Sequence, residues 1–149
     1  MDESFRLPMP REGEDCLCAE CLRREAETQG KPMTSPANLA AKLATFDERF
    51  SPRTVAAYNN NDIMVAKLDG PFHWHKHDET DDFFLVLKGT LDIELRDRTV
   101  TLNPGEVFVV PKGVEHRPVA HGEVHILLIE PTGTPNTGDK ATAAPRILA

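Results

Sequence analysis

Cysteine is scarce in this sequence, and the three that occur sit together as Cys16, Cys18 and Cys21. An odd number so tightly spaced cannot staple a small secreted fold, so no disulfide framework is implied. Basic charge is short as well. Lys and Arg number 17 against 24 Asp and Glu, and the formal net charge of -7 works against nucleic acid and against a polybasic membrane contact. No apolar run approaches the length of a membrane span, and Met1, Asp2, Glu3 and Ser4 open the chain without the hydrophobic core of a signal peptide. These absences predict a cytoplasmic protein whose partner is a small molecule. Histidine is missing from both ends: all six fall between His73 and His125, which directs attention to the middle of the chain.

A chain of 149 residues can bury one real core and is short for two. Residues 1–34 are polar and broken by Pro8, Pro10 and Pro32, which predicts an N-terminal extension, a mobile arm outside the core. Within it, three thiolates suit zinc only if a fourth ligand comes from elsewhere. Glu14 to Thr28 also reads as a short helix, on which Cys16 and Cys18 point to nearly opposite sides, and reduced thiols are the simpler reading. Ser35 and Pro36 then suit the N-cap and first position of a helix. Leu39, Leu43, Phe46 and Phe50 follow at helical spacing as one apolar stripe ending before Pro52, which predicts a helix packed outside a sheet.

From Thr54 the period becomes that of strands. Short runs rich in Val, Ile, Phe and Leu occupy 54–58, 63–68, 72–77, 83–88, 90–95, 99–102, 107–110 and 124–129, separated by turn residues such as Gly89 and Asn103, Pro104, Gly105. Leu91, Ile93 and Leu95 alternate with Asp92, Glu94 and Arg96, one face for a core and one for water. Many short, evenly spaced strands predict a small antiparallel barrel or sandwich. After Pro131 the chain turns to Thr, Gly, Pro, Asn and Ala, a loose tail that drapes over the barrel or over a second subunit. The expected organisation is an extension over 1–34, a barrel domain with its leading helix over 35–131, and a tail over 132–149.

Chemistry concentrates between Gly70 and His116. On a strand His75 and His77 face one side together and can hold one ion between them. Asp82 heads the same-face row Phe84, Val86, and His116 follows the turn Pro111, Lys112, Gly113, where the chain can re-enter the same cavity. Glu79 and Asp81 compete with Asp82 for the acidic role.

These residues resemble the two motifs of the cupin superfamily. Gly70, His75, His77, Asp82 and Gly89 fill the first, with a shortened opening spacer, and Gly105, Pro111, Gly113 and His116 match the second in full. The resemblance implies an all-β antiparallel jelly-roll barrel (double-stranded β-helix), a metal held by His75, His77, Asp82 and His116, and a homodimer. By motif the chain is similar to small single-domain cupins of type 2, the mannose-6-phosphate isomerase-like group, a label that describes the barrel rather than an activity. Two positions depart from the pattern: the usual ligand glutamate is Asp82, and the asparagine often found after the last histidine is Ala120. Aspartate is one methylene shorter, roughly 1.5 Å less reach. Either its strand sits closer to the ion, or Asp82 orients a water or a histidine from outside the coordination sphere.

Three imidazoles and a carboxylate suit one divalent transition metal ion, with Fe, Mn, Ni, Co, Cu and Zn all compatible. Four protein ligands on an ion that prefers six leave positions for water, oxygen or a chelating ligand. His73 is expected at the cavity mouth, and Phe84, Val86 and Phe108 along its wall. Two functions follow: a metal-dependent enzyme of dioxygenase, isomerase or lyase type acting on a small oxygen-containing molecule, or a non-catalytic small-ligand binding or sensor protein. A phosphosugar isomerase would want a convergent basic pair, which the cavity-facing rows lack. Trp74 is expected to face away from the metal, and His121 and His125 read as hydrogen-bonded structure.

Overall fold

The computed structural model describes residues 35–149; Cys16, Cys18, Cys21 and the expected N-terminal arm lie outside the described residues. One short helix, α1 (Leu39–Leu43), precedes seven strands: β1 (Arg53–Tyr58), β2 (Asn61–Pro71), β3 (Asp82–Leu95), β4 (Thr99–Leu102), β5 (Val107–Val110), β6 (His116–Pro131) and β7 (Ile147–Leu148). The sheet runs β4-β3-β6-β2-β1-β7, with β5 also on β3, and every pairing is antiparallel except that of β1 with β7. Alternate residues point inward along each strand. Met64, Ala66 and Leu68 of β2, Phe84, Val86, Leu91 and Ile93 of β3, and Val124, Ile126 and Leu128 of β6 form one core, as a jelly-roll barrel requires.

The expected runs 83–88 and 90–95 are a single strand, because Gly89 is a bulge rather than a turn. Its φ is +85°, and a Cβ there would lie 2.9 Å from the Glu123 carbonyl oxygen of β6. The register slips on both sides of it, between Val86 and Lys88 and between Lys88 and Thr90, so the long strand bends without leaving the sheet. Strand β6 likewise extends well beyond the expected 124–129. His121 pairs with Thr90 in the ladder and its ring meets the Asp92 carboxylate.

The expected strand 72–77 is not one. Pro71 pairs with Val119 at the end of β2, and Phe72 N–H still donates to the Pro118 carbonyl at 2.9 Å. Pro118 has no N–H to return, so the ladder stops and only an isolated bridge between His75 and His116 remains.

The helix is shorter than its stripe. Asn38, not Ser35, is the N-cap: its side chain accepts from Ala41 N–H at 2.9 Å. Thr45 ends the helix by donating its hydroxyl to the Lys42 carbonyl at 2.6 Å. Leu43 and Phe46 pack on Val55 and Val65 in a second cluster on the outside of the sheet, as expected for the stripe. Phe50 leaves it. With φ 55° and its N–H bonded to the Lys67 carbonyl at 2.8 Å, it stacks on Phe72 at a centroid distance of 4.9 Å and joins the barrel core.

Residues 132–149 fold back on the barrel. Ile147 and Leu148 pair in parallel with β1, and Ala149 N–H donates to the Thr54 carbonyl at 3.0 Å. Arg146 reaches Asp62 at 3.4 Å and Glu130 at 3.8 Å.

Candidate metal centre

The centre forms where three strand ends and one loop meet. His116 opens β6, Asp82 opens β3, and the loop after β2 supplies His75 and His77. Two backbone bonds tie that loop to β6: His75 N–H to His116 carbonyl at 3.0 Å, and His116 N–H to His75 carbonyl at 2.9 Å. A third, Gly113 N–H to the His77 carbonyl at 2.7 Å, seats the other end of the loop on the turn before His116. The side chains of His75, His77, Asp82 and His116 therefore converge, with one ligand atom from each lying within 4.8 Å of all the others.

Ring orientation is set from behind. His75 Nδ1 donates to the His73 carbonyl at 2.8 Å, and His116 Nδ1 to the Val114 carbonyl at 3.0 Å, which leaves both Nε2 atoms facing the centre. Asp82 Oδ2 lies 2.8 Å from His116 Nε2, 3.3 Å from His77 Nε2 and 3.8 Å from His75 Nε2. Neighbouring donors on one ion with bonds near 2.1 Å stand about 3 Å apart, so the spacing fits a single cation. His77 Nε2 is buried and has no hydrogen-bond partner, an arrangement that costs free energy unless something else engages the nitrogen. Both observations match a metal site made of borderline nitrogen donors and one hard oxygen.

Electrostatics are dominated by the one carboxylate. Burial alone would raise Asp82, but the His116 ring hydrogen-bonded to it and the His75 and His77 rings beside it outweigh burial and hold the carboxyl well below the usual carboxylate range. Burial would lower His77, and the Asp82 carboxylate 3.3 Å away reverses the sign, so its pKa is raised.

Among the acidic neighbours, Glu79 and Asp81 are exposed, and Asp81 is engaged by Lys112 N–H at 2.9 Å, leaving Asp82 as the carboxylate of the cluster. A cavity opens beside it, lined by His75, Asp82, Phe84 and the Phe50–Phe72 pair. Of the four residues expected to line it, Phe84 does so. Val86 instead lies fully buried in the core, and Phe108 packs against that core, because both fill the barrel interior. His73 is exposed at the surface, and what it offers the centre is its carbonyl rather than its ring. Trp74 faces away from the metal centre, under the Arg96 guanidinium at 3.8 Å. His125, with its ring on Glu123 at 2.9 Å, and His121 serve structure.

Glu130 was not anticipated from the sequence. It is 3% exposed, lines the same cavity, and its Oε2 has no hydrogen-bond partner. Burial first and the Asp82 charge second push its carboxyl up to about 7, against the opposing pull of His77 and Arg146. The signal existed: Val124, Ile126, Leu128 and Glu130 share one strand parity, so the inward row of β6 ends on a carboxyl.

Comparison with known proteins agrees with this architecture. Residues 63–130 match the family model of the cupin domain, Cupin_2. The uncharacterised protein YdbB of Bacillus subtilis (strain 168) is 30% identical over 86 residues, 57% of this chain and 76% of that protein. The crystal structure of a cupin-2 domain containing protein from Shewanella frigidimarina NCIMB 400 is 40% identical and superposes with a TM-score of 0.64 over 71% of this chain and 98% of that one. Protein NMB1881 from Neisseria meningitidis, at 29% identity, gives a TM-score of 0.60 over 66% of this chain and 100% of its own. With its barrel, its two motifs and relatives matched over most of their length, the chain belongs to the cupin superfamily.

Proposed function

We propose that His75, His77, Asp82 and His116 hold one divalent transition metal ion and that the protein is a metal-dependent enzyme acting on a small oxygen-containing molecule. The observation that carries this reading is the buried, unpartnered His77 Nε2 within a cluster of four donors. A bound ion would polarise an oxygen of the ligand or activate dioxygen there. The chain's own contribution is to fix the imidazole tautomers through the His73 and Val114 carbonyls, and to keep bulk water from the centre with the Phe50, Phe72 and Phe84 rings. Asp82 is read as a direct ligand, since its Oδ2 sits among the three Nε2 atoms despite the shorter side chain.

No Lys or Arg lines the cavity among the described residues, so nothing of the chain's own there suits a sugar phosphate. Dioxygenase or lyase chemistry on an uncharged compound is therefore favoured over phosphosugar isomerisation. Capture without turnover is the second reading, and the observation favouring it is that Glu130 is the single titratable group of the cavity wall, among the described residues, apart from the metal ligands. The homodimer is carried as part of the proposal, with light scattering as its test.

Elemental analysis of protein purified without added ions tests the central claim. About one transition metal ion per chain is expected, with most of it lost in His116→Ala. Stoichiometric metal in that variant would refute the ligand set. Oxygen uptake or product formation in a small-molecule screen separates enzyme from sensor, which would show only thermal stabilisation by ligands.

A further inference from the structure

Among the described residues, three buried side-chain atoms lack a hydrogen-bond partner: Thr54 Oγ1, His77 Nε2 and Glu130 Oε2. Thr54 lies on β1 and does not line the cavity. His77 Nε2 is accounted for by the metal cluster. Glu130 is outside that cluster, yet it is buried, lines the cavity beside it, and leaves Oε2 without a hydrogen-bond partner, with Arg146 Nη1 standing off at 3.8 Å. An unmet oxygen in such a place costs free energy in the empty protein and is recovered when a donor arrives.

The rest of the wall says what kind of molecule could bring that donor. The Phe50–Phe72 stack, Phe84, Leu68 and Ile126 are apolar. Asn136, the other polar residue of the wall besides the metal cluster, is already engaged, its Oδ1 accepting from Ala144 N–H at 2.9 Å. The cavity holds about 50 Å3, where one water needs roughly 10–15 Å3 and a closed pocket for benzene about 150 Å3, and it opens to solvent. That is room for a few waters, or for the hydroxyl-bearing end of one six-membered ring whose far side stays at the cavity mouth.

We propose that Glu130 is the ligand-recognition residue of this cavity, accepting a hydrogen bond from a hydroxyl of a compact, uncharged, single-ring molecule whose apolar body packs on Phe50, Phe72 and Phe84. In either protonation state the carboxyl offers an acceptor oxygen. The inference rests on the reading of this cavity as the ligand chamber, but it does not require a particular metal or any turnover. It makes Glu130 a specificity determinant: the site discriminates a hydroxyl from a methyl group of the same size, because only the hydroxyl meets the buried oxygen.

Phenol and toluene are the probes, differing by hydroxyl against methyl, and both are titrated calorimetrically into the full chain with metal content measured in the same samples. Wild type should bind phenol about tenfold more tightly than toluene, the size of one buried hydrogen bond. Glu130→Leu should abolish that preference while keeping its metal. Glu130→Gln, which retains an acceptor oxygen, should keep it. The proposal is overturned if wild type fails to bind phenol or binds toluene equally well, if folded Glu130→Leu retains the preference, or if folded Glu130→Gln loses it. Wild type that carries no metal but prefers phenol through Glu130 would refute the metal centre and leave this contact standing.

Discussion

His75 and His116 exchange both of their backbone hydrogen bonds, at 2.9 and 3.0 Å, and their imidazoles lie 4.4 Å apart centre to centre. The pair joins the two sequence motifs through main-chain atoms, so the ligand geometry does not depend on the metal to assemble it. His116→Ala leaves those backbone bonds available while removing a ligand and the closest imidazole partner of Asp82. Metal affinity should fall at least about tenfold, while metal-free stability falls by only about 1–3 kcal/mol. A dialysis metal assay and urea unfolding of the chelated protein measure the two separately; complete unfolding of the variant would contradict a backbone-held centre.

Metal should invert the pH dependence of stability. In chelated protein the raised His77 contributes stability that is fully present below its unfolded value, near 6.5, and is lost as pH rises through its folded value. Metal requires neutral imidazoles, so the stabilisation that an added ion supplies grows as pH rises over the same range. Melting temperatures from pH 5 to 8, with and without the ion, should therefore slope in opposite directions. Parallel slopes would mean that the ion is not bound by these imidazoles.

Glu130 adds a second, separable pH effect. Its folded pKa of about 7 lies above the ordinary glutamate value of 4.5, so chelated protein loses stability as pH rises between these values and keeps that penalty above them. Glu130→Gln removes the ionisable group. At pH 8 it should stabilise the chelated protein by up to about 3 kcal/mol, with the gain disappearing below about pH 4.5. Denaturant unfolding at both pH values checks it, and a destabilised variant at pH 8 would show the carboxylate to be well satisfied.

Gly138 brings the returning tail against the ligand loop. Its φ is +75°, and a Cβ would stand 2.0 Å from the carbonyl oxygen of Lys76, the residue between His75 and His77. Gly138→Ala cannot be accommodated without moving backbone. A loss of about 1–3 kcal/mol is expected, together with weaker metal binding as the ligand loop shifts. Unchanged melting temperature and metal content would show that the tail does not bear on the loop.

Much of this was legible along the chain. The period-2 rows around Leu91 and Ile93, the paired histidines and the turn before His116 depend on local spacing, which strand geometry translates directly into shared faces. What misled was punctuation. Gly89 looks like a turn, but in a long curved strand a glycine with positive φ is how the sheet bends while staying paired. Pro118 lies within β6 and ends the ladder of its neighbour, which is why residues 72–77 form a loop. Phe50 fits a helical stripe by spacing, yet its place is decided by the Lys67 carbonyl and the Phe72 ring, partners far along the chain.

By itself the sequence determined the barrel class, the three histidines of the cluster and the inward rows, because alternation and turn chemistry act between near neighbours. Only the tertiary structure decided which acidic side chain sits among the histidines, which residues wall the cavity, and that Glu130 is left there with an unmet oxygen. Burial and hydrogen-bond satisfaction are sums over every segment that packs around an atom, and no single stretch of chain contains them.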